Sequence, residues 1–87
     1  MVSLTYLNLP HMGLTGTIPQ NIQYLIHLTY LDLSENSLNG TIPEEIGNLT
    51  SLLTLGFRAN QLTGTIPDSI GNLKQLLSLF VFLDSLI

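Results

Sequence analysis

A hexapeptide recurs three times in this chain of 87 residues, and its regular spacing constrains the fold more than any other feature. The copies read Leu-Thr-Gly-Thr-Ile-Pro at 14–19, Leu-Asn-Gly-Thr-Ile-Pro at 38–43 and Leu-Thr-Gly-Thr-Ile-Pro at 62–67, so each begins 24 residues after the one before. An apolar framework upstream of each copy keeps the same register: Leu4, Leu7 and Leu9, then Leu28, Leu31 and Leu33, then Leu52, Leu55 and Phe57. A fixed period of this length predicts a stack of similar units, each of which contacts only its neighbours.

The repeat divides the chain into coils, one for each period. Three coils are complete (4–27, 28–51 and 52–75) and a partial coil follows at 76–87, so the sequence predicts one array over 1–87. About three repeats are needed before stacked units share a continuous core. The array is therefore close to the lower limit of length for independent folding.

The segment 30–34, Tyr-Leu-Asp-Leu-Ser, alternates polar and apolar side chains with the period of a strand that buries one face. Leu31 and Leu33 are predicted to point inward. Because the coils repeat in one direction, their strands are expected to be parallel and to present an outward row of side chains. A shift of 24 residues assigns to this row Tyr6, Asn8, Pro10, Tyr30, Asp32, Ser34, Thr54, Gly56 and Arg58.

Two asparagines follow the strands at the same place in the repeat. Asn36 and Asn60 are predicted to be buried and to hydrogen-bond to turn backbone, because an amide side chain both donates and accepts. Met12 and Asp84 occupy this place in the other coils. The predicted asparagine ladder therefore has two rungs.

The Gly-Thr-Ile-Pro segment is expected to turn the chain, to have β character at Thr-Ile and to lead into a helix. Glycine tolerates a positive φ, whereas proline fixes φ and is favoured at the first position of a helix. Glu44, Glu45 and Asp68 follow the prolines, where the helix dipole favours acidic side chains. Each coil is predicted to carry a short turn of 3₁₀ helix that ends near 47–49 or 71–73.

Charge and composition exclude several classes of function. Six acidic residues against Arg58 and Lys74 give a net charge of −4, which excludes the basic surface that nucleic acid requires. The chain has no cysteine, and His11 and His27 fall on opposite sides of a coil, so no disulfide, metal site or cofactor is predicted. The start shows no secretory signal, and the apolar run 76–83 is shorter than the roughly 20 residues that span a bilayer.

The full repeat, L-x-x-L-x-L-x-x-N-x-L-x-G-x-I-P-x-x-I-G-N-L-x-x, resembles the plant-type leucine-rich repeat of receptor-like kinase and receptor-like protein ectodomains. The resemblance covers 4–75 fully and 76–79 in part. It implies an α/β repeat solenoid, a right-handed superhelix with parallel β-strands on the concave face, short 3₁₀ turns on the convex face and a second short strand through Gly-x-Ile-Pro. It also implies an extracellular module of a plasma-membrane protein that binds a peptide, a steroid, a microbial fragment or a co-receptor.

Departures from the family pattern make an internal fragment the expectation. The chain lacks the signal peptide, cysteine caps and additional repeats typical of such ectodomains, and it contains no kinase motif. The main hypothesis is a module without catalytic residues that recognises a protein or peptide ligand in signalling. Two alternatives stay open: the sensor part of a receptor serine/threonine kinase whose catalytic domain lies outside this chain, and a truncated gene fragment without function.

The concave side supplies the candidate ligand-binding residues, which are Tyr6, Asn8, Tyr30, Asp32, Ser34, Glu35 and Arg58. Tyr6 and Tyr30 are expected about 4.8 Å apart on adjacent strands, and tyrosine is common at binding hot spots. Asp32, Glu35 and Arg58 would form a small charged patch. The alternative is structural, with a tyrosine pair that stabilises neighbouring strands and charges that are merely solvated.

Two sequons mark candidate glycosylation sites. Asn39-Gly40-Thr41 and Asn48-Leu49-Thr50 both fit the acceptor pattern. Part of this signal belongs to the repeat itself, because Asn72 stands where Asn48 does without a following threonine. Modification would also require secretion.

The partial coil predicts self-association. The repeat register places Phe80, Phe82 and Leu83 on the outward face, and Leu76, Leu79 and Val81 on the inward face. An open edge strand with apolar groups toward solvent is a template for association with another chain.

Overall fold

The structure, a computed structural model, describes residues 3–80, and its elements recur in the order that the period predicts. Each complete coil has a concave strand, a flank strand and a short 3₁₀ helix on the convex side. The first coil contains β1 (Tyr6–Asn8), β2 (Thr15–Thr17) and a helix at Gln20–Tyr24; the second contains β3 (Tyr30–Asp32), β4 (Ser37–Gly40) and a helix at Glu44–Asn48; the third contains β5 (Thr54–Gly56), β6 (Gln61–Leu62) and a helix at Asp68–Asn72; and β7 (Ser78–Phe80) follows.

A four-stranded parallel sheet of order β1-β3-β5-β7 forms the concave side. Leu7, Leu31 and Leu55 pair across its first three strands, and Leu31 and Leu55 are fully buried. The ladder continues past the strand ends, since the N–H of Leu33 donates to the carbonyl of Gly56 at 2.9 Å. The predicted parallel concave strands are confirmed.

The flank carries a three-stranded parallel sheet of order β2-β4-β6, which ends earlier than the sequence predicts. Thr-Ile lies outside β4 and β6, which end at Gly40 and Leu62. Gly16, Gly40 and Gly64 have φ of 84°, 78° and 82°. The left-handed glycine ends β4, whereas in the first coil it lies inside β2 and in the third coil β6 ends two residues before it.

Proline precedes each 3₁₀ helix instead of occupying its first position. Pro43 has an extended ψ of 146°, and its carbonyl accepts the N–H of Ile46 at 3.1 Å. The helices end where the repeat predicts, at Asn48 in the second coil and Asn72 in the third. Each is a five-residue turn, and no helix in residues 3–80 is long and apolar enough to cross a membrane.

The core is a column of apolar side chains, aliphatic apart from Phe57, between the two sheets and the helices. Its buried members are Ile18, Ile22, Leu28, Leu31, Leu33, Leu38, Ile42, Ile46, Leu49, Leu52, Leu55, Phe57, Leu62 and Leu73. Leu79, predicted to face inward, is 42% exposed, because β7 is the last strand in the described part of the sheet. The predictions for the side chains of Phe80, Val81, Phe82, Leu83 and Asp84 lie outside the described residues.

Candidate functional site

The buried amide of Asn60 joins the second coil to the third. Its Oδ1 accepts the N–H of Leu38 at 3.0 Å, and its Nδ2 donates to the carbonyl groups of Leu33 at 2.9 Å and Phe57 at 3.0 Å. The side chain thus satisfies backbone groups on both sides of the coil boundary. The residue is 3% exposed, so these groups have no access to bulk water.

Asn36 makes the equivalent bonds one coil earlier but is only partly buried. Its Oδ1 accepts the N–H groups of Met12 at 2.9 Å and Leu14 at 3.0 Å, and its Nδ2 donates to the carbonyl of Leu9 at 3.0 Å. The predicted burial does not extend to this asparagine, because the first coil covers it incompletely. Met12, which faces it, is itself 60% exposed.

Tyr6 and Tyr30 stack on the concave surface. Their ring centroids lie 4.4 Å apart with an interplanar angle of 14°, and Tyr6 remains 57% exposed. Asn8 donates a long hydrogen bond of 3.4 Å to the Tyr6 hydroxyl. Desolvation, with Coulombic repulsion from Tyr6 and Asp32, raises the pKa of Tyr30 above its ordinary value of 10.0.

Asp32 leans from β3 over the next strand, where Gly56 offers no side chain. A Cβ built on Gly56 would lie 2.8 Å from Oδ1 of Asp32 and 3.2 Å from Oγ of Ser34. The same Oδ1 accepts the backbone N–H of Ser34 at 2.9 Å.

This arrangement corrects one prediction. Ser34, assigned to the ligand-binding row, is only 4% exposed and cannot present its hydroxyl to a partner. The reason lies in the neighbouring coil, because the missing side chain at Gly56 lets Ser34 pack against β5. The other candidate ligand-binding residues retain exposed or half-exposed surface; they are Tyr6, Asn8, Tyr30, Asp32, Glu35 and Arg58.

Three ionisable side chains meet at the edge of the concave sheet, one from each complete coil. Oε2 of Glu35 lies 2.8 Å from Nε2 of His11, and Oε1 lies 3.9 Å from Nη2 of Arg58. His11 is the partner that sequence reasoning missed. The available signal was the period itself, since His11 stands one repeat before Glu35.

The same edge has an unusual backbone. His11, Glu35 and Ala59 occupy equivalent places and have φ of 57°, 58° and 58°, a left-handed conformation that is uncommon for residues other than glycine. The N–H of Glu35 donates to the carbonyl of Arg58 at 2.9 Å, so the adjacent coil holds this conformation in place. The coil edge therefore orients the side chains of His11 and Glu35 toward each other.

Both sequons are accessible. Asn39 is exposed on β4, and Asn48 is exposed at the end of its 3₁₀ helix, where its Nδ2 donates to Oε1 of Gln23 at 3.0 Å. Their glycosylation stays a prediction.

Threonines repeat along the flank, the first at the end of β2 and the others after β4 and β6. Thr17, Thr41 and Thr65 occupy the same place in successive coils and are all exposed. The Cγ2 methyl groups of Thr17 and Thr41 would each lie 3.1 Å from a Cβ built on Gly40 and Gly64, so each methyl packs closely against the next coil.

Stacked coils with parallel strands, asparagine bridges and open polar faces define a repeat solenoid whose surfaces are available for binding. The chain belongs to the leucine-rich repeat family, because the family model for the leucine-rich repeat region matches residues 2–85. A comparison with curated proteins gave no match.

Solved structures of plant proteins share this fold. The plant peptide hormone receptor RGFR1 in complex with RGF2 is 50% identical, with a TM-score of 0.90 over 92% of this chain and 13% of that one. The Arabidopsis receptor kinase HAESA, in complex with the peptide hormone IDA and the co-receptor SERK1, is 35% identical, with a TM-score of 0.86 over 95% of this chain and 14% of that one. A plant ice-binding protein is 42% identical, with a TM-score of 0.72 over 76% of this chain and 21% of that one.

The chain therefore spans only a small part of the proteins that it matches. Its described part is similar to segments of plant leucine-rich repeat receptor kinase ectodomains.

Proposed function

We propose that this chain is a recognition module for a peptide or protein ligand, and that the ligand binds the concave face. The observation that carries the proposal is the row of accessible side chains on β1 and β3, which includes the stacked Tyr6 and Tyr30. Tyrosine offers a large contact area and a polar hydroxyl at low conformational cost. Two of the similar structures are receptors in complex with peptide hormones, which supports this class of ligand.

The size of the face indicates weak binding by this chain alone. Four strands of three residues each, about 4.8 Å apart and about 10 Å long, provide roughly 200 Å². A standard stable interface uses about 800 Å² on each partner. We therefore infer that a natural ligand would also contact further coils of a longer array.

We further propose that the array belongs to a plant receptor-like kinase or receptor-like protein and functions outside the cell. Similarity to the receptor kinase HAESA supports this assignment, and the exposed sequons at Asn39 and Asn48 would suit a secreted glycoprotein. Sequencing the transcript on both sides of this segment tests the proposal. A membrane span followed by kinase motifs would identify a receptor kinase, and a stop codon without either would contradict a membrane receptor.

The binding proposal can be tested with a random-peptide library displayed on phage, where many peptide copies compensate for weak single contacts. Peptides captured by the 87-residue chain would be rechecked against Tyr6→Ala, Tyr30→Ala and Arg58→Ala. We expect each change to reduce capture while the melting temperature stays nearly constant. Gln75→Ala, at an exposed convex position, is the control and should capture normally. Equal capture by all variants would refute recognition through the concave face.

A second candidate function rests on the flank, where Thr17, Thr41 and Thr65 repeat. Its exposed threonines repeat at the spacing of the coils, and each combines a hydroxyl with a methyl group held against a glycine. A row of groups with this regular spacing would match the ordered water molecules at an ice surface. One structure of similar fold is a plant ice-binding protein. Recrystallisation of ice in the presence of the chain tests this function: Thr41→Lys should abolish any inhibition, whereas Thr50→Lys on the convex side should not. Ordinary grain growth with the unmodified chain would exclude it.

A further inference from the structure

Asp32 is the concave carboxylate whose charge is left uncompensated. Glu35 is engaged by His11 at 2.8 Å and by Arg58 at 3.9 Å. Asp32, in contrast, forms no ion pair within residues 3–80, and its side chain accepts a hydrogen bond from the N–H of Ser34. A carboxylate has about four lone-pair sites, so most of its capacity to accept remains available.

The tyrosine stack lies beside this carboxylate. Tyr30 and Asp32 are two residues apart on β3 and so project from the same face, about 6.7 Å apart along the strand. Tyr6 and Asn8 pair with them on β1, and on β5 the carboxylate of Asp32 covers the place where Gly56 has no side chain. The Coulombic contribution of Asp32 to the raised pKa of Tyr30 indicates that its negative field reaches the ring.

We propose that the concave surface formed by Tyr6, Tyr30 and Asp32, here called the arginine site, binds an arginine side chain of the ligand. Its guanidinium would pack against the Tyr6–Tyr30 stack and hydrogen-bond to Asp32. The inference rests on the proposed function and specifies the chemistry of its ligand. A guanidinium is planar, stacks on aromatic rings and can bond a carboxylate through two N–H groups, whereas an ammonium offers a strongly hydrated point charge. The net charge of −4 favours a cationic partner over an anionic one.

The direct test is an NMR titration of the 87-residue chain with the capped peptide acetyl-Gly-Arg-Gly-amide. Its matched probe replaces arginine with citrulline, which keeps the shape and loses the charge. We expect saturable shifts of the Tyr6 and Tyr30 ring signals with the arginine peptide, and binding roughly threefold weaker or more with citrulline.

Two variants locate the effect. Asp32→Asn keeps an acceptor for the Ser34 N–H, so the fold should persist while arginine binding weakens to the citrulline level. Asp68→Asn removes the same charge from an exposed convex site and should leave binding unchanged. Equal binding of the two probes, or equal affinity of the two variants, would overturn the proposal.

The phage experiment distinguishes failure of the arginine site from failure of peptide recognition by the concave face. If the captured peptides bind the concave face but are not enriched in arginine, the arginine site is refuted and peptide recognition remains supported. Loss of all concave-face binding, with the NMR titration also negative, would overturn both.

Discussion

Single residues at the coil boundaries supply hydrogen-bond partners for backbone N–H and carbonyl groups, and Asn60 is the clearest case. Its side chain bonds to backbone groups of two coils, whereas neighbouring Gln61 is exposed on β6. An amide in the interior is retained because the N–H and carbonyl groups that it pairs would otherwise be buried without partners.

Asn60→Ala should lower the free energy of unfolding by about 1–3 kcal/mol, the range for a buried polar group that loses its partner. Chemical denaturation monitored by circular dichroism measures the change. Gln61→Ala is the control, for which a change within about 0.5 kcal/mol is expected. Equal effects of the two substitutions would show that Asn60 does not bridge the coils.

The tyrosine stack predicts a pH dependence at the alkaline end. Because the folded pKa of Tyr30 is raised above 10.0, the native state holds this proton more tightly than the unfolded chain does. The unfolding free energy should therefore fall as the pH rises above 10.0, and the stabilisation should be fully present below it.

The ring signals of Tyr30, followed by NMR from neutral to alkaline pH, measure this shift directly. Asp32→Asn should lower the pKa of Tyr30 by removing one source of repulsion, and Asp68→Asn should not. A Tyr30 that titrates at its ordinary value in the unmodified chain would contradict the stacked arrangement.

At the scale of elements, the distance between successive 3₁₀ helices depends on a glycine. A Cβ on Gly47 would lie 2.6 Å from the Cβ of Ser69 and 2.7 Å from its carbonyl oxygen. Ser69 in turn donates through Oγ to the carbonyl of Glu44 at 2.7 Å. The backbone of the third helix thus occupies the space that any side chain at Gly47 would need.

Gly47→Ala should destabilise the fold by about 1–3 kcal/mol, as overpacking typically does. Gly71 is the matched control, because it has the same place one coil later and a Cβ there would contact no atom of residues 3–80 within 4 Å. Gly71→Ala should be neutral or slightly stabilising, since alanine is the better helix former. Thermal unfolding of both variants distinguishes these outcomes, and a neutral Gly47→Ala would contradict the observed helix spacing.

Elements are also the scale at which sequence reasoning succeeds and fails most clearly. The 24-residue period predicts the concave strands, their parallel order and the ends of the 3₁₀ helices, because each depends on the pattern within one coil. The burial of Ser34 depends instead on the absence of a side chain at Gly56 in the next coil. The His11–Glu35 contact likewise joins residues of different coils through a left-handed backbone. The period predicts contacts such as the Asn60 bridge, because equivalent residues stack, whereas contacts that depend on a missing side chain or a left-handed backbone require three-dimensional placement.

For the molecule as a whole, the coils form one column that exposes apolar side chains at both ends. On the first coil Met12 is 60% and Ile26 is 53% exposed, and on the last described coil Leu77 is 82% and Leu79 is 42% exposed. Stability in such an array is a sum of coil and interface terms, so a terminal coil gains from docking another apolar surface. Leu77 lies beside β7 and Leu79 lies on it, and Leu77 is the most exposed large apolar side chain of the described residues.

We expect the chain to self-associate at micromolar concentration through this end, as an exposed apolar patch next to an edge strand favours. Leu77→Ser should raise the fraction of monomer measured by sedimentation velocity, because it removes the most exposed leucine of the patch. Ile26→Ser changes a similar exposed aliphatic residue on the first coil and should leave the distribution unchanged. A monodisperse monomer of the unmodified chain would disprove the association, and an equal response to the two substitutions would place the contact elsewhere.

Association confined to the Leu77 end would also leave the concave row around Tyr6 and Tyr30 free, so peptide binding and self-association should be independent in the same sample.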